Sequence, residues 1–308
     1  MSVSRCPYFG RCGGCKYDFA DPDYRRAKAE TLKNFPIDEF VWLPAGNRRR
    51  ADFAFAGGAV GFYESGTKNI VEILDCQMLD DEIRKIIPQL KQLPASGGAL
   101  ITRCDNGLDI AITSPVPYFS GRLSFDAIRV SWNGRVVSQT AQPTVDFDGR
   151  KIDYPAGAFL QPSVAGENAI RDLIAGGGRA IDLFCGLGTW TGKIKGIGYD
   201  SYAPAIAAGR AAGLQLNVRD LMKNPIPARA IAKYDLLVMD PPRAGASAQC
   251  AEIEKAARGG QKLIYVSCNP ASFARDMKIL RSWKLEKLTA IDQFPGSEHM
   301  ELVGVIGK

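Results

Sequence analysis

The sequence predicts an α/β protein whose second half is a doubly wound, mostly parallel sheet. Three observations carry the prediction. Short β-rich runs alternate with helical stretches after residue 157, a glycine loop follows the first full run, and two later runs end in polar, proline-bearing tips. The runs fall at 180–184, 196–200, 214–219, 234–240 and 262–267, with helices expected at 163–175, 203–212, 247–258 and 270–282. Two more runs, 287–294 and 302–306, flank a Pro295-Gly296 turn, and so short a connection predicts an antiparallel end to the sheet.

Residues before 157 follow another pattern. A cysteine-rich segment at 1–16 precedes strand-like pieces at 51–55 and 70–74 and a turn-rich stretch from 94 to 157. A boundary near Gly157 divides the chain into 1–157, an α+β domain whose cysteine segment lies within 1–79, and 158–308. Hydrophobic residues at 46% and charged residues at 23% are ordinary for a globular protein. The excess of 39 basic over 33 acidic residues permits an anionic partner without requiring one. No run of about 18 apolar residues occurs, and Met1–Arg5 leads into the cysteines without a signal-peptide core, so no membrane segment and a cytoplasmic, monomeric protein are expected. Eight cysteines dispersed in a chain that can bury its own core favour metal binding or catalysis over a disulfide framework. His299 is the sole histidine, which excludes multi-histidine metal sites.

The chemistry-bearing groups cluster at the expected strand ends. Asp182-Leu183-Phe184-Cys185-Gly186-Leu187-Gly188-Thr189 sits at a strand-to-helix junction, where glycines let the backbone approach a ligand. Asp200 ends the next strand, where a carboxylate can accept ribose hydroxyls, and Asp220 follows the third, where one can accept a nucleobase amine. Thr191 occupies the position of the third glycine of a dinucleotide fingerprint, which favours a nucleoside cofactor without a pyrophosphate, namely S-adenosylmethionine. Asp240-Pro241-Pro242-Arg243 ends the fourth strand and Ser267-Cys268-Asn269-Pro270 the fifth. With Asn269 as N-cap and Pro270 as first helical residue, Cys268 precedes a helix N-terminus expected to favour its thiolate, a nucleophile's position. The bland alternative is a buried strand-end cysteine.

Asp240-Pro241-Pro242-Arg243, Tyr265-Val266-Ser267-Cys268-Asn269-Pro270 and Phe294-Pro295 followed by His299-Met300-Glu301 together resemble the RNA 5-methyluridine (uracil-C5) methyltransferase family, in its iron-sulfur branch acting on 23S ribosomal RNA. The likeness continues through Phe159-Leu160-Gln161-Pro162 and the 182–188 loop, and is weakest from about 80 to 155. It implies a Rossmann-like S-adenosylmethionine-dependent methyltransferase sheet and methyl transfer to C5 of a uridine in RNA, ribosomal RNA by family association. Because C5 of uracil is a weak nucleophile, a thiolate must first add to C6; Cys268 takes that part, and Glu301 the base that removes the C5 proton. The resemblance also places Gln161, Phe184, Thr189, Asp200 and Asp220 on the S-adenosylmethionine pocket, and Asp240 between cofactor and uracil. Thr189 and Asp220 stand where the family usually has asparagine, and Asp200 where it has glutamate. For His299 a plain turn residue is the expectation. No N-terminal TRAM barrel is expected before Cys6.

Cys6, Cys12, Cys15 and Cys76 are separated by five, two and sixty residues. Four thiolates suit a [4Fe-4S] cluster or tetrahedral zinc, and spacing does not choose between them; the resemblance favours the cluster. Cys104, Cys185 and Cys250 read as ordinary thiols. Arg48-Arg49-Arg50, Arg25, Arg26 and Lys28 can contact phosphates, and Phe9, Tyr17 and Phe53 can stack bases, or these groups form a solvated basic face over core aromatics. The rival functions are an amino-methyltransferase, disfavoured by Arg243 where that chemistry wants an aromatic, a transfer RNA uridine-C5 methyltransferase, and a non-catalytic RNA-binding iron-sulfur protein on the same fold.

Overall fold

The computed structural model describes residues 6–117 and 123–308; the Met1–Arg5 leader lies outside the described residues. The first half contributes helix α1 (Tyr24–Glu30) and strand β1 (Glu39–Trp42). It continues with β2 (Arg50–Ala56), β3 (Ala59–Tyr63), β4 (Ile70–Glu72), helix α2 (Asp81–Ile86) running into a 3-10 turn at Ile87–Gln92, β5 (Ser96–Cys104), β6 (Gly107–Thr113), β7 (Arg129–Trp132) and β8 (Arg135–Gln139). Strands β2 to β8 form one sheet in the order β4-β3-β2-β5-β6-β7-β8, and β9 (Thr144–Phe147) pairs with β10 (Arg150–Asp153) as a separate ribbon. The stretch 94–157, expected to be turn-rich, is therefore largely strand. Its glycines mislead: Gly97 lies in β5 where a Cβ would stand 2.1 Å from the Thr113 carbonyl oxygen, so the residue marks close backbone approach rather than a turn.

The second half supplies α3 (Val164–Leu173), β11 (Ala180–Leu183), α4 (Thr191–Ile194), β12 (Ile197–Asp200), α5 (Ala203–Ala211), β13 (Leu216–Val218), α6 (Ala228–Ile231), β14 (Leu236–Met239), α7 (Ser247–Ala256), β15 (Lys262–Ser267), α8 (Pro270–Met277), β16 (Lys284–Asp292) and β17 (Glu301–Gly307). These strands build an eight-stranded sheet in the order β1-β16-β17-β15-β14-β11-β12-β13. β11 to β15 pair in parallel, while β17 runs antiparallel to both β15 and β16, as the short Pro295-Gly296 connection requires. The alternation in β14 explains why its run is wholly apolar. Leu237 and Met239 pack on the face holding Tyr265 and Phe273, and Leu236 and Val238 on the opposite face with Ile170 and Trp190.

The edge strand β1 comes from the first half and pairs in parallel with β16, so sheet membership does not follow the division at residue 157. Two buried ion pairs join the halves further. Lys28 of α1 meets Asp292, with Tyr24 also donating its hydroxyl to Asp292, and Arg49 meets Glu167 of α3. Lys28 and Arg49 are thus structural cations rather than phosphate contacts, and Phe53 is a fully buried core ring rather than a stacking platform. A cation without a partner at such depth would cost several kcal/mol, which is why both found carboxylates.

Candidate active site

The strand tips converge on a cavity of about 660 Å³. Gln161, Phe184, Thr189, Asp200, Asp220, Asp240, Cys268 and Glu301 all line it, together with Trp190, Arg243, Phe294 and, at the mouth, Arg50 and Phe159. Its floor is the loop after β11. Phe184 adopts φ +65° and Gly188 φ +91°, a left-handed course that bends the backbone sharply off the strand. A Cβ on Gly188 would stand 2.5 Å from Leu214 Cδ1, so the loop needs glycine there to lie on the β13 side of the sheet. Asp200 Oδ2 accepts the Gly186 amide at 3.0 Å, which ties this loop to the end of β12. Only the four-residue α4 separates the loop from β12, ended by Lys195 in left-handed conformation; that is how so short a segment still delivers Asp200 to the rim. Asp220 accepts the Met222 amide through Oδ1 at 3.1 Å and pairs with Lys223.

Two carboxyls face Cys268, Glu301 buried and Asp240 half-buried. Asp240 Oδ2 accepts from Gln161 Nε2 at 2.7 Å and from Trp190 Nε1 at 3.3 Å. Glu301, the first residue of β17, accepts from Gln293 Nε2 at 3.2 Å. Burial, with a smaller contribution from the Asp200 charge, pushes Asp240 up to about 7, and burial with the Asp240 charge lifts Glu301 well above the ordinary carboxyl range. Asp182, beneath them in β11, is likewise pushed up to about 7 by burial, although Thr191 donates to it at 2.6 Å. Asn269 caps α8 as its sequence predicts, accepting the Ala271 amide at 3.1 Å, and its Nδ2 donates to the Arg243 carbonyl at 3.0 Å, which binds the β14 and β15 tips together. The expected thiolate stabilisation is overturned. Burial, then the Glu301 and Asp240 charges, push Cys268 up to about 11, and Arg243 only partly offsets them. His299 lies edge-on to Phe294 with ring centroids 6.0 Å apart and belongs to the turn, not to the cavity wall.

Gln293, Trp190 and Arg243 were not singled out as site residues from the sequence. Arg243 stood inside a quoted motif and could have been found there; Gln293 abuts Phe294-Pro295; Trp190 carries no pattern of its own.

The cysteine set lies elsewhere. Cys6, Cys12, Cys15 and Cys76 line a second cavity of about 180 Å³, with Arg48 on its wall. Cys15 is pushed up to about 12 by burial and by the other three thiols, which places all four within electrostatic reach. The donor set therefore suits a four-thiolate centre. The coordination is not closed, however: among the described residues no group of three or more His, Cys, Asp or Glu side chains could hold a metal ion as it stands. The expectation that Cys6, Cys12, Cys15 and Cys76 hold a [4Fe-4S] cluster or zinc is therefore not supported by the arrangement of these side chains. Cys104, Cys185 and Cys250 are buried and free.

A parallel sheet with a glycine loop, two acidic strand ends and a rim cavity is the arrangement of an α/β enzyme that takes a nucleoside cofactor at its strand tips. A family model described as tRNA (Uracil-5-)-methyltransferase matches residues 229–308. An uncharacterized RNA methyltransferase of Caulobacter vibrioides is 35% identical, over 97% of this chain and 85% of its own length. The 23S rRNA (uracil(1939)-C(5))-methyltransferase RlmD of Shewanella halifaxensis is 26% identical over 96% of this chain and 80% of its own. The crystal structure of Pyrococcus abyssi tRNA (uracil-54, C5)-methyltransferase in complex with S-adenosyl-L-homocysteine superposes with TM-score 0.72 at 22% identity, over 92% of this chain and 82% of that one, a likeness of fold. The chain belongs to the RNA uracil-C5 methyltransferase family. Among the described residues no helix is long and apolar enough to cross a membrane.

Proposed function

We propose that this enzyme methylates C5 of a uridine in ribosomal RNA through a covalent adduct between Cys268 and C6. The observation that carries the reading is that Cys268, Glu301 and Asp240 share one cavity with the glycine loop and the acidic strand ends. S-adenosylmethionine, when bound, supplies an electrophilic methyl on a cationic sulfur. A cation held in this cavity would offset the Glu301 and Asp240 charges that help raise Cys268, and so favour the reactive form of the thiol.

Once the Cys268 thiol has given its proton to solvent, the thiolate sulfur bonds to C6 and the C5–C6 π pair moves onto C5 and the adjoining carbonyl. C5 then takes the methyl, and the sulfur it leaves becomes neutral. Glu301 removes the C5 proton; the C5–H pair re-forms the double bond and the C6–S bond breaks, returning the thiolate. Asp240 and Gln161 orient the ring, and Phe184, Thr189, Asp200 and Asp220 hold the nucleoside part of the donor. The target base must leave its stack to enter.

Residues 1–157 would contribute the RNA-binding surface and residues 158–308 the methyl transfer, in a cytoplasmic monomer. Arg50, 5.2 Å over the exposed Phe159 ring at the cavity mouth, is the cation best placed for a nucleotide. The full-length likeness to the Shewanella enzyme supports ribosomal RNA, and transfer RNA is the second reading, supported by the family description. The four cysteines would hold an iron-sulfur cluster away from the reacting atoms, with zinc the lesser candidate; iron, sulfide and zinc content of anaerobically purified protein decides.

The test incubates the enzyme and labelled S-adenosylmethionine with separated ribosomal and transfer RNA. Cys268→Ala is expected to lose both methyl transfer and the covalent adduct, and Glu301→Gln to trap the adduct. Turnover by Cys268→Ala, or label confined to transfer RNA, refutes the corresponding part. Donor binding with no transfer to either RNA supports a non-catalytic protein.

A further inference from the structure

We propose that Gln293, seated against Gly166, is the positioning residue that orients the Glu301 carboxyl and favours its basic form for proton removal. The inference rests on the reading of Glu301 as the base. Gln293 follows β16 and is fully buried. Its Nε2 donates to Glu301 Oε2 at 3.2 Å and to Gln161 Oε1 at 3.1 Å, while Gln161 Nε2 donates to Asp240. Two side-chain amides thus bridge the buried Glu301 and the half-buried Asp240, which would otherwise repel across the cavity.

The seat is specific. Gly166 lies in the first turn of α3, and a Cβ there would stand 2.2 Å from Gln293 Oε1 and 2.6 Å from Cδ. A residue with any side chain would expel the amide. Gln293 Oε1 is itself buried without a hydrogen-bond partner, an unfavourable arrangement for a merely structural glutamine. The seat fixes which end of the amide meets the site: the oxygen lies against Gly166, and the N–H end serves Glu301 and Gln161.

The groups facing Glu301 are Asp240 from the β14 tip, Cys268 from the β15 tip and, on the β16 side, the neutral amide. Burial, and after it the Asp240 charge, opposes ionisation, and the Gln293 hydrogen bond favours it.

Gln293→Met keeps the shape and removes both amide atoms; Gly166→Ala displaces the amide without altering it. Both are compared with wild type and Glu301→Gln for the pH profile of turnover, the KM for RNA and accumulation of the adduct, with melting temperature monitored. Each variant is expected to move the acidic limb to higher pH by about one unit, the worth of one hydrogen bond, and to accumulate adduct at unchanged KM. A wild-type acidic limb without adduct in Gly166→Ala, which is decisive if Gln293→Met folds poorly, overturns the proposal. If Glu301→Gln turns over freely, the base assignment itself has failed; if it traps adduct while both other variants behave as wild type, only the role of Gln293 has.

Discussion

The two cavities differ in how far the fold alone assembles them. At the sheet rim, Asp240, Gln161, Gln293 and Glu301 already form one hydrogen-bonded chain, and the tips that carry Asp240 and Cys268 are tied through Asn269. Around the four cysteines, the thiols face a common space but do not reach coordinating geometry. The contrast follows from what holds each group. Asp240, Cys268 and Glu301 sit at the ends of strands with ladders on both sides, while three of the four cysteines lie in a loop segment held by the Cys12 to Glu64 bridge and a few backbone hydrogen bonds to Tyr63 and Gly296. Parallel sheets place side chains before any ligand arrives; loops leave the last adjustment to the ligand.

This contrast can be broken by substitution. Asp240→Ala removes the central acceptor of the assembled site and should lower methyl transfer about a hundredfold or more by misplacing the reacting groups, with melting temperature little changed; equal loss of turnover and of folding would erase the distinction. If the four cysteines hold the cluster proposed above, Cys76→Ser should instead remove its iron and lower thermal stability while leaving binding of S-adenosylmethionine, measured by calorimetry, within a fewfold of wild type. A smaller effect sharpens the picture of the rim. Asp182 is raised in the folded state, so its contribution to stability is present below its unfolded value of 3.8 and is lost as pH rises through about 7. The melting temperature of the ligand-free protein should therefore fall over that interval, and Asp182→Asn should flatten the slope.

Much of the rim was legible in the sequence because strand-end residues occur in short contiguous motifs. Asp240, Cys268 and the Asn269-Pro270 cap could be read directly, and Asp200 despite the shortness of α4. Gln293 and Gly166 could not be paired, since they are 127 residues apart and only the packing of α3 against β16 brings them together. The burial of Lys28 and Arg49 escaped for the same reason: basic residues read as surface until a distant carboxylate is seen beside them. The thiol's raised titration was hidden because a helix N-terminus is visible in sequence and the neighbouring buried acids are not.

Strand β1 has a consequence for synthesis. Its partner, Thr289–Asp292, is made some 250 residues later, and Lys28 waits as long for Asp292. Contacts of such separation form late and slowly. An emerging chain therefore carries this edge strand uncovered until Thr289–Asp292 has been made, and the sheet closes by stitching together segments far apart in the chain.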